Sequence, residues 1–139
     1  MKIKNKLLFA QDTSNGGLIV LQCIGKMTSP ESKLPAGIRH RFTRIRKAII
    51  AEVKDANDSR IELCKEHGTL NEETDRFDFD DAGTKAFAEA FAELCEDEFE
   101  VLVDDITIDF DALEKKDSEI DVDAVDFLEQ SGIVKIKED

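Results

Sequence analysis

The chain has 139 residues, 41% of them hydrophobic and 37% charged, with a formal net charge of −13. That length suits a single domain with one core, and the balance of apolar and charged residues excludes a disordered tail. No apolar run approaches the ~20 residues that a membrane-spanning helix needs, since the longest, Leu18 to Ile24, is only LIVLQCI.

The first segment, Lys2 to Leu8, alternates lysines with Ile3 and Leu7 and is expected as a short strand. Its apolar stretch is too short for a signal-peptide core, so export by that route is not expected. Asp12, Thr13 and Ser14 offer a helix N-cap. Gly16 to Lys26 is apolar nearly all round, which fits a buried helix, or a buried strand over Leu18 to Ile24. After the chain's only prolines, Pro30 and Pro35, the spacing of Ile38, Phe42, Ile45, Ile49, Val53 and Ala56 predicts one helix over about 35–67. Gly68 is its expected stop. Thr69 to Asp80 reads as a polar loop in which Phe77 and Phe79 fit a short strand.

Asp80 or Asp81 then caps a second helix, about 81–98, carrying Phe87, Phe91, Leu94 and Cys95 on one side. It is expected to lie antiparallel to the long helix, as a helical hairpin with an extended tip. Phe99 to Phe110 is β-like, with Leu102, Ile106, Ile108 and Phe110 sharing one parity and Asp105, Thr107, Asp109 and Asp111 the other. Asp121 caps a short helix that Gly132 ends, and Ile133 to Lys137 forms a last strand with Lys135 and Lys137 on one side. Opposite charges stabilise neighbouring strands, so the aspartate strand is expected beside a lysine strand. The fold class is α+β: a long helical hairpin on a small, mainly antiparallel sheet, all in one domain.

Few residues suit catalysis. His40 and His67 lie in no nucleophile, metalloprotease or zinc-ligand pattern, and Gly16-Gly17 opens no phosphate loop. Cys23, Cys64 and Cys95 are widely spaced within apolar segments and read as reduced, buried small hydrophobes. Asp78, Asp80, Gly83 and Glu89 follow part of a calcium-loop spacing, but Ala82 and Lys85 break it, and helix capping explains the aspartates better. Asp104, Asp105, Asp109 and Asp111 raise the possibility of magnesium. However, alternate strand carboxylates sit ~6–7 Å apart, which favours a solvated face beside lysines. No metal and no cofactor is expected.

Charge carries more information. Residues 1–67 hold 13 Lys and Arg against 7 Asp and Glu, a balance of +6, whereas residues 68–139 hold 6 against 25, a balance of −19. The halves can face each other within one molecule or between copies, or the acidic half can meet a basic partner. The one basic patch is Arg39, Arg41, Arg44, Arg46 and Lys47, around His40. Ion pairing with the acidic half, within or between copies, is favoured for it over an acidic partner protein. Nucleic acid is not expected, because the net charge opposes its approach. These five cations, with Asp105, Asp109 and Asp111, form the candidate interaction surface.

MKIKNK at Met1 to Lys6, Lys33-Leu34-Pro35, the helix from Ile38, and Phe99-Glu100-Val101 resemble a family of short tailed-bacteriophage proteins of unknown function. The order of elements covers most of the chain, and the glycine pair Gly16-Gly17 and the acidity depart from the pattern. The resemblance implies a phage gene product, found in the virion or the host cytoplasm. The function expected is a non-enzymatic structural or assembly accessory that binds other phage proteins, self-association included, through charged helical surfaces, with no membrane. The alternative is an acidic inhibitor that imitates DNA toward a host or defence nucleic-acid-binding protein. A metal-dependent enzyme ranks third.

Overall fold

A computed structural model describes residues 1–138. The fold is α+β, with helices packed on small strand pairs. In chain order the elements are β1 (Lys2–Lys4), α1 (Ile19–Thr28), α2 (Ala36–His67), β2 (Thr69–Asn71), β3 (Arg76–Asp78) and α3 (Asp81–Glu96). Then follow β4 (Glu98–Glu100), β5 (Ile106–Ile108), α4 (Phe110–Glu114), α5 (Val122–Gln130) and β6 (Val134–Ile136). The long helix thus runs 32 residues, as its apolar spacing predicts, about 48 Å at ~1.5 Å per residue.

The core gathers one face from most elements. Val20, Cys23, Ile24 and Met27 of α1 meet Phe42, Ile45 and Ile49 of α2. Ile106 and Ile108 of β5 join them, with Val125 and Leu128 of α5 and Val134 of β6. α1 lies between α2 and α5 and packs on both. The steps of three and four residues in α1 and α2 bring these side chains onto single stripes.

Among the described residues the strands form three separate pairs in place of one sheet. β1 pairs antiparallel with β4, β2 antiparallel with β3, and β5 parallel with β6. The lysine–aspartate pairing expected from sequence is present in the third: Lys135 reaches Asp105 at 3.2 Å and Lys137 reaches Asp109 at 3.3 Å. Its parallel direction follows from α4 and α5, which carry the chain back before β6 begins.

Several local expectations are corrected. The first strand ends at Lys4, because Leu7 and Leu8 are both buried, which an alternating strand forbids. Asn5–Leu8 instead forms a 3-10 turn. Asp12 to Ser14 cap no helix: Asp12 accepts from the Ser14 N–H in a turn closed by Gly16 at φ +78°, and α1 starts later, at Ile19. The run from Phe99 to Phe110 is not one strand. Val101 and Val103 point inward and Leu102 outward, so the inward parity switches before Ile106 and Ile108. Gly68 does stop α2, as expected, and does so in an extended conformation, φ −129°.

The reason for glycine there is space. A Cβ on Gly68 would lie 2.8 Å from the Phe79 ring and 3.0 Å from the Asp78 carbonyl. A Cβ on Gly83 would lie 2.3 Å from the His67 carbonyl oxygen, so the first turn of α3 sits directly against the last of α2. Two glycines therefore permit the helices to fold back on each other around the β2–β3 tip. Asp80 caps α3, its Oδ1 accepting from the Gly83 N–H at 2.6 Å.

A Gly83→Ala substitution forces the helix ends apart. We expect it to lower stability by about 1–3 kcal/mol, the usual cost of overpacking, measured as a shift in the urea midpoint. An unchanged midpoint would contradict the close approach.

Candidate functional site

The α2–α3 hairpin is unlike the body it grows from. α3 has 16 residues and none is buried; in α2 beyond Ile49 only Ala56 and Cys64 are. A file of half-buried phenylalanines runs along α3. Phe9, from the turn after β1, meets Phe91 edge-on at 5.0 Å between ring centres. Phe91 stacks on Phe87 at 5.7 Å, and Phe87 meets Phe79 at 5.2 Å. Aromatic pairs of this kind contribute ~0.5–1.5 kcal/mol each beyond area burial. The file starts at the body and ends at the tip of the arm.

The body also grips the far end of α3. The Asn5 Nδ2 donates to the Leu94 carbonyl at 3.0 Å, the Asn5 backbone N–H to Asp97, and Lys4 pairs with Glu96 at 2.6 Å. The pairing holds the Glu96 carboxyl below its ordinary range and raises the Lys4 ammonium.

Apolar surface remains open at the tip. Leu70 is 48% exposed and Ile61 36%. A shallow groove of about 530 Å³ there is lined by Ile61, Phe77, Phe79 and Phe87, with Arg60 and Arg76 at its edge. A second groove, of about 420 Å³, lies where arm and body meet, between Phe9, Leu18, Val53 and Phe91. Neither brings together a nucleophile, a base and an oxyanion donor.

The residues singled out in the sequence fall in two groups. Arg41 and Arg44 meet the segment between β4 and β5 through its backbone: Arg44 Nη2 donates to the Leu102 carbonyl at 2.8 Å and Arg41 Nη1 to that of Asp105 at 3.2 Å. Arg39 Nε donates to the Leu34 carbonyl at 3.1 Å. Arg46 and Lys47 make no such bond among the described residues. Among the described residues every ion pair belongs to a lysine, to His67 or to the N-terminus, and no arginine reaches a carboxylate. The basic patch and the aspartate strand are therefore neighbours, joined at Asp105, without cancelling each other's charge.

The aspartates divide by task. The Asp105 carboxylate faces Lys135. Asp109 caps α4 by accepting from the Ala112 N–H, and also meets Lys137. These contacts hold its carboxyl below the ordinary range, the backbone N–H of Ala112 contributing most. Asp111 is exposed in the first turn of α4. Among the described residues no three His, Cys, Asp or Glu side chains converge as a metal site needs. Asp80 of the partial calcium spacing is engaged as the α3 cap.

Cys23 and Cys64 are buried, Cys95 is half-buried, and all three are free thiols. Burial raises the Cys23 and Cys95 thiols above their ordinary pKa, so neither is an activated nucleophile. His40 is exposed on α2, and His67 sits in the last turn of that helix. No helix among the described residues is long and apolar enough to cross a membrane.

Sequence reasoning missed the arm's aromatic file, because Phe9 lies about eighty residues from its partner. It also missed Leu102, 80% exposed and fixed by Arg44. The switch of parity that turns Leu102 outward left no local mark.

No protein-family profile, curated protein or solved structure matches this chain.

Acid stability tests the cap and ion pair at Asp121, the N-cap of α5. Its carboxyl is held below the ordinary range by the Lys26 ammonium at 2.8 Å and by the Ala124 N–H. A carboxyl lowered in the folded state stabilises above its unfolded pKa, and that stability is lost as pH falls through the folded value. Asp121→Asn keeps a capping oxygen but loses the charge. It should be less stable than the parent at neutral pH, and the difference should vanish well below the unfolded pKa of about 3.9. Urea unfolding at several pH values measures it; a gap that persists in acid would contradict the assignment.

Proposed function

We propose that this chain is a non-enzymatic accessory of phage structure or assembly that binds other phage proteins through the outside of the α2–α3 arm and its charged faces. The observation that carries the binding reading is the arm itself. A helix of 16 residues without one buried side chain contributes little to its own core. Its tip carries Leu70, Ile61 and half-buried phenylalanines, with Arg60 and Arg76 beside them. Exposed apolar side chains rimmed by charge are the composition of protein contact surfaces. The phage setting rests on the resemblance of the MKIKNK start, the Lys33-Leu34-Pro35 turn and the long helix.

A second reading is supported by the many exposed carboxylates of α3, β4 and α5 that form no ion pair among the described residues, Glu89, Glu93, Asp123 and Asp126 among them. Such a surface suits an inhibitor that imitates the phosphate field of DNA. The two readings separate by experiment. An accessory of the particle co-purifies with gradient-purified virions, whereas an inhibitor is absent from them and binds a basic nucleic-acid enzyme in a salt-dependent way.

Substitution at the arm tests the surface directly. Ile61→Ser combined with Leu70→Ser removes two partly exposed apolar side chains, so stability should fall by about 2–3 kcal/mol, with the fold checked by circular dichroism. Incorporation into particles, measured by quantitative proteomics, should fall about tenfold or more if these residues anchor the contact. Unaltered incorporation would remove the arm tip from the binding surface.

A further inference from the structure

The basic patch has an unusual setting. From Leu34 to Ala51 the chain contains five Arg and Lys residues and no Asp or Glu. On α2, His40, Arg44, Lys47, Ala51 and Lys54 follow steps of three and four residues and are all exposed. They form one cation-rich face about 21 Å long at ~1.5 Å per residue. Among the described residues neither Lys47 nor Lys54 pairs with a carboxylate, and Arg44 spends its hydrogen bond on a backbone carbonyl. Apolar groups accompany the cations: Ile50, 55% exposed, lies on the same helix, and Leu102 is held at the patch by Arg44. A phosphate backbone offers nothing to those two side chains, whereas an acidic protein surface with apolar residues would satisfy both.

Such a surface is present on the same molecule. α5 exposes Val122, Asp123, Asp126 and Glu129, again at helical spacing. Val122 is 54% exposed, and none of the three carboxylates has an ion-pair partner among the described residues. The two helices pack on α1 without bringing these faces into ionic contact. We propose that the α2 basic face of one copy docks on the α5 acidic face of a second copy. The contact is head-to-tail, so repetition builds a ring or a filament according to whether the rotation closes.

The net charge of −13 is no bar to this contact at moderate salt. With a Debye length near 8–10 Å at about 0.1–0.15 M, each face responds to the charges directly opposite it and little to the rest of the molecule. Two single-helix faces bury a modest area, so a dissociation constant on the order of 10–100 μM is expected. Head-to-tail docking rests on the exterior-binding reading above. A strictly monomeric protein would remove it while leaving virion association untouched.

The test is sedimentation velocity on the full chain with two charge-reversed variants, Arg44→Glu/Lys47→Glu and Asp126→Lys/Glu129→Lys. All four positions are exposed, and cations suit the C-terminal half of α5 through the helix dipole. Circular dichroism checks that both variants fold. The parent should associate reversibly at about 0.1 M salt and dissociate at about 1 M. Each variant alone should weaken association about tenfold or more, and an equimolar mixture of the two should restore it. A parent that stays monomeric at several hundred micromolar, or variants that associate as it does, would overturn the proposal. So would association lost in both variants but not regained in the mixture. A short DNA duplex bound by the parent at that salt and released by Arg44→Glu/Lys47→Glu would assign the face to phosphate and overturn it equally.

Discussion

Phe42, Ile45 and Ile49 are wholly buried on one side of α2, and everything else in the molecule is arranged around where that stripe ends. Up to Ile49 the helix is a core element, covered by α1 and close to Val101 and Val103. Beyond it the same helix turns polar, and Ala56 and Cys64 are its only further buried residues. A helix of 32 residues is rigid enough to project past the core that anchors it. Its outer half therefore needs a partner, and α3 supplies it. That partnership is thin, since α3 buries no side chain against α2, and α3 is held to the body by the Phe9–Phe91 ring contact and by the grip of Asn5 and Lys4 on its end. Body and arm thus differ in the depth of their packing, and the shallow part is the one with apolar residues left over.

Charge follows the same division of labour. Lysines at the ends of the chain neutralise particular carboxylates: Lys4 with Glu96, Lys26 with Asp121, Lys135 with Asp105 and Lys137 with Asp109. Each such pair is exposed and contributes modestly to stability, but each joins segments distant in sequence. The arginines behave differently. A guanidinium can hold a backbone carbonyl and remain charged, and Arg41 and Arg44 do so while fixing the segment that presents Leu102. Arg39, Arg41 and Arg44 bind peptide carbonyls and keep their charge, while Lys4, Lys26, Lys135 and Lys137 pair with carboxylates away from the α2 face.

Much of this was legible in the residues. The long helix follows from apolar spacing, and the helix caps at Asp80 and Asp121 follow from residue type at the start of a periodic segment. The pairing of the aspartate strand with a lysine strand follows from complementary faces. What sequence could not give is non-local. β1 and β4 lie nearly a hundred residues apart and their pairing has no signature beyond short alternation. The phase change at Leu102 is imposed by the arginines above it and by Met1, whose amino group donates to the Val101 carbonyl at 2.6 Å. Glycines were legible as breaks, but Gly68 and Gly83 serve close approach between helix ends, which only the packed structure reveals. At the candidate surface, sequence found the cations and the aspartates but not that the arginines keep their charge unpaired.

Native-state hydrogen exchange, resolved by residue, tests the division between body and arm most directly. Amides of α2 from Phe42 to Ile49 should exchange only through global unfolding. Those of α3, and of α2 from about residue 57 to 67, should exchange through a smaller, local opening whose free energy lies well below the global value. Uniform protection along all of α2 and α3, at the global unfolding free energy, would contradict the account.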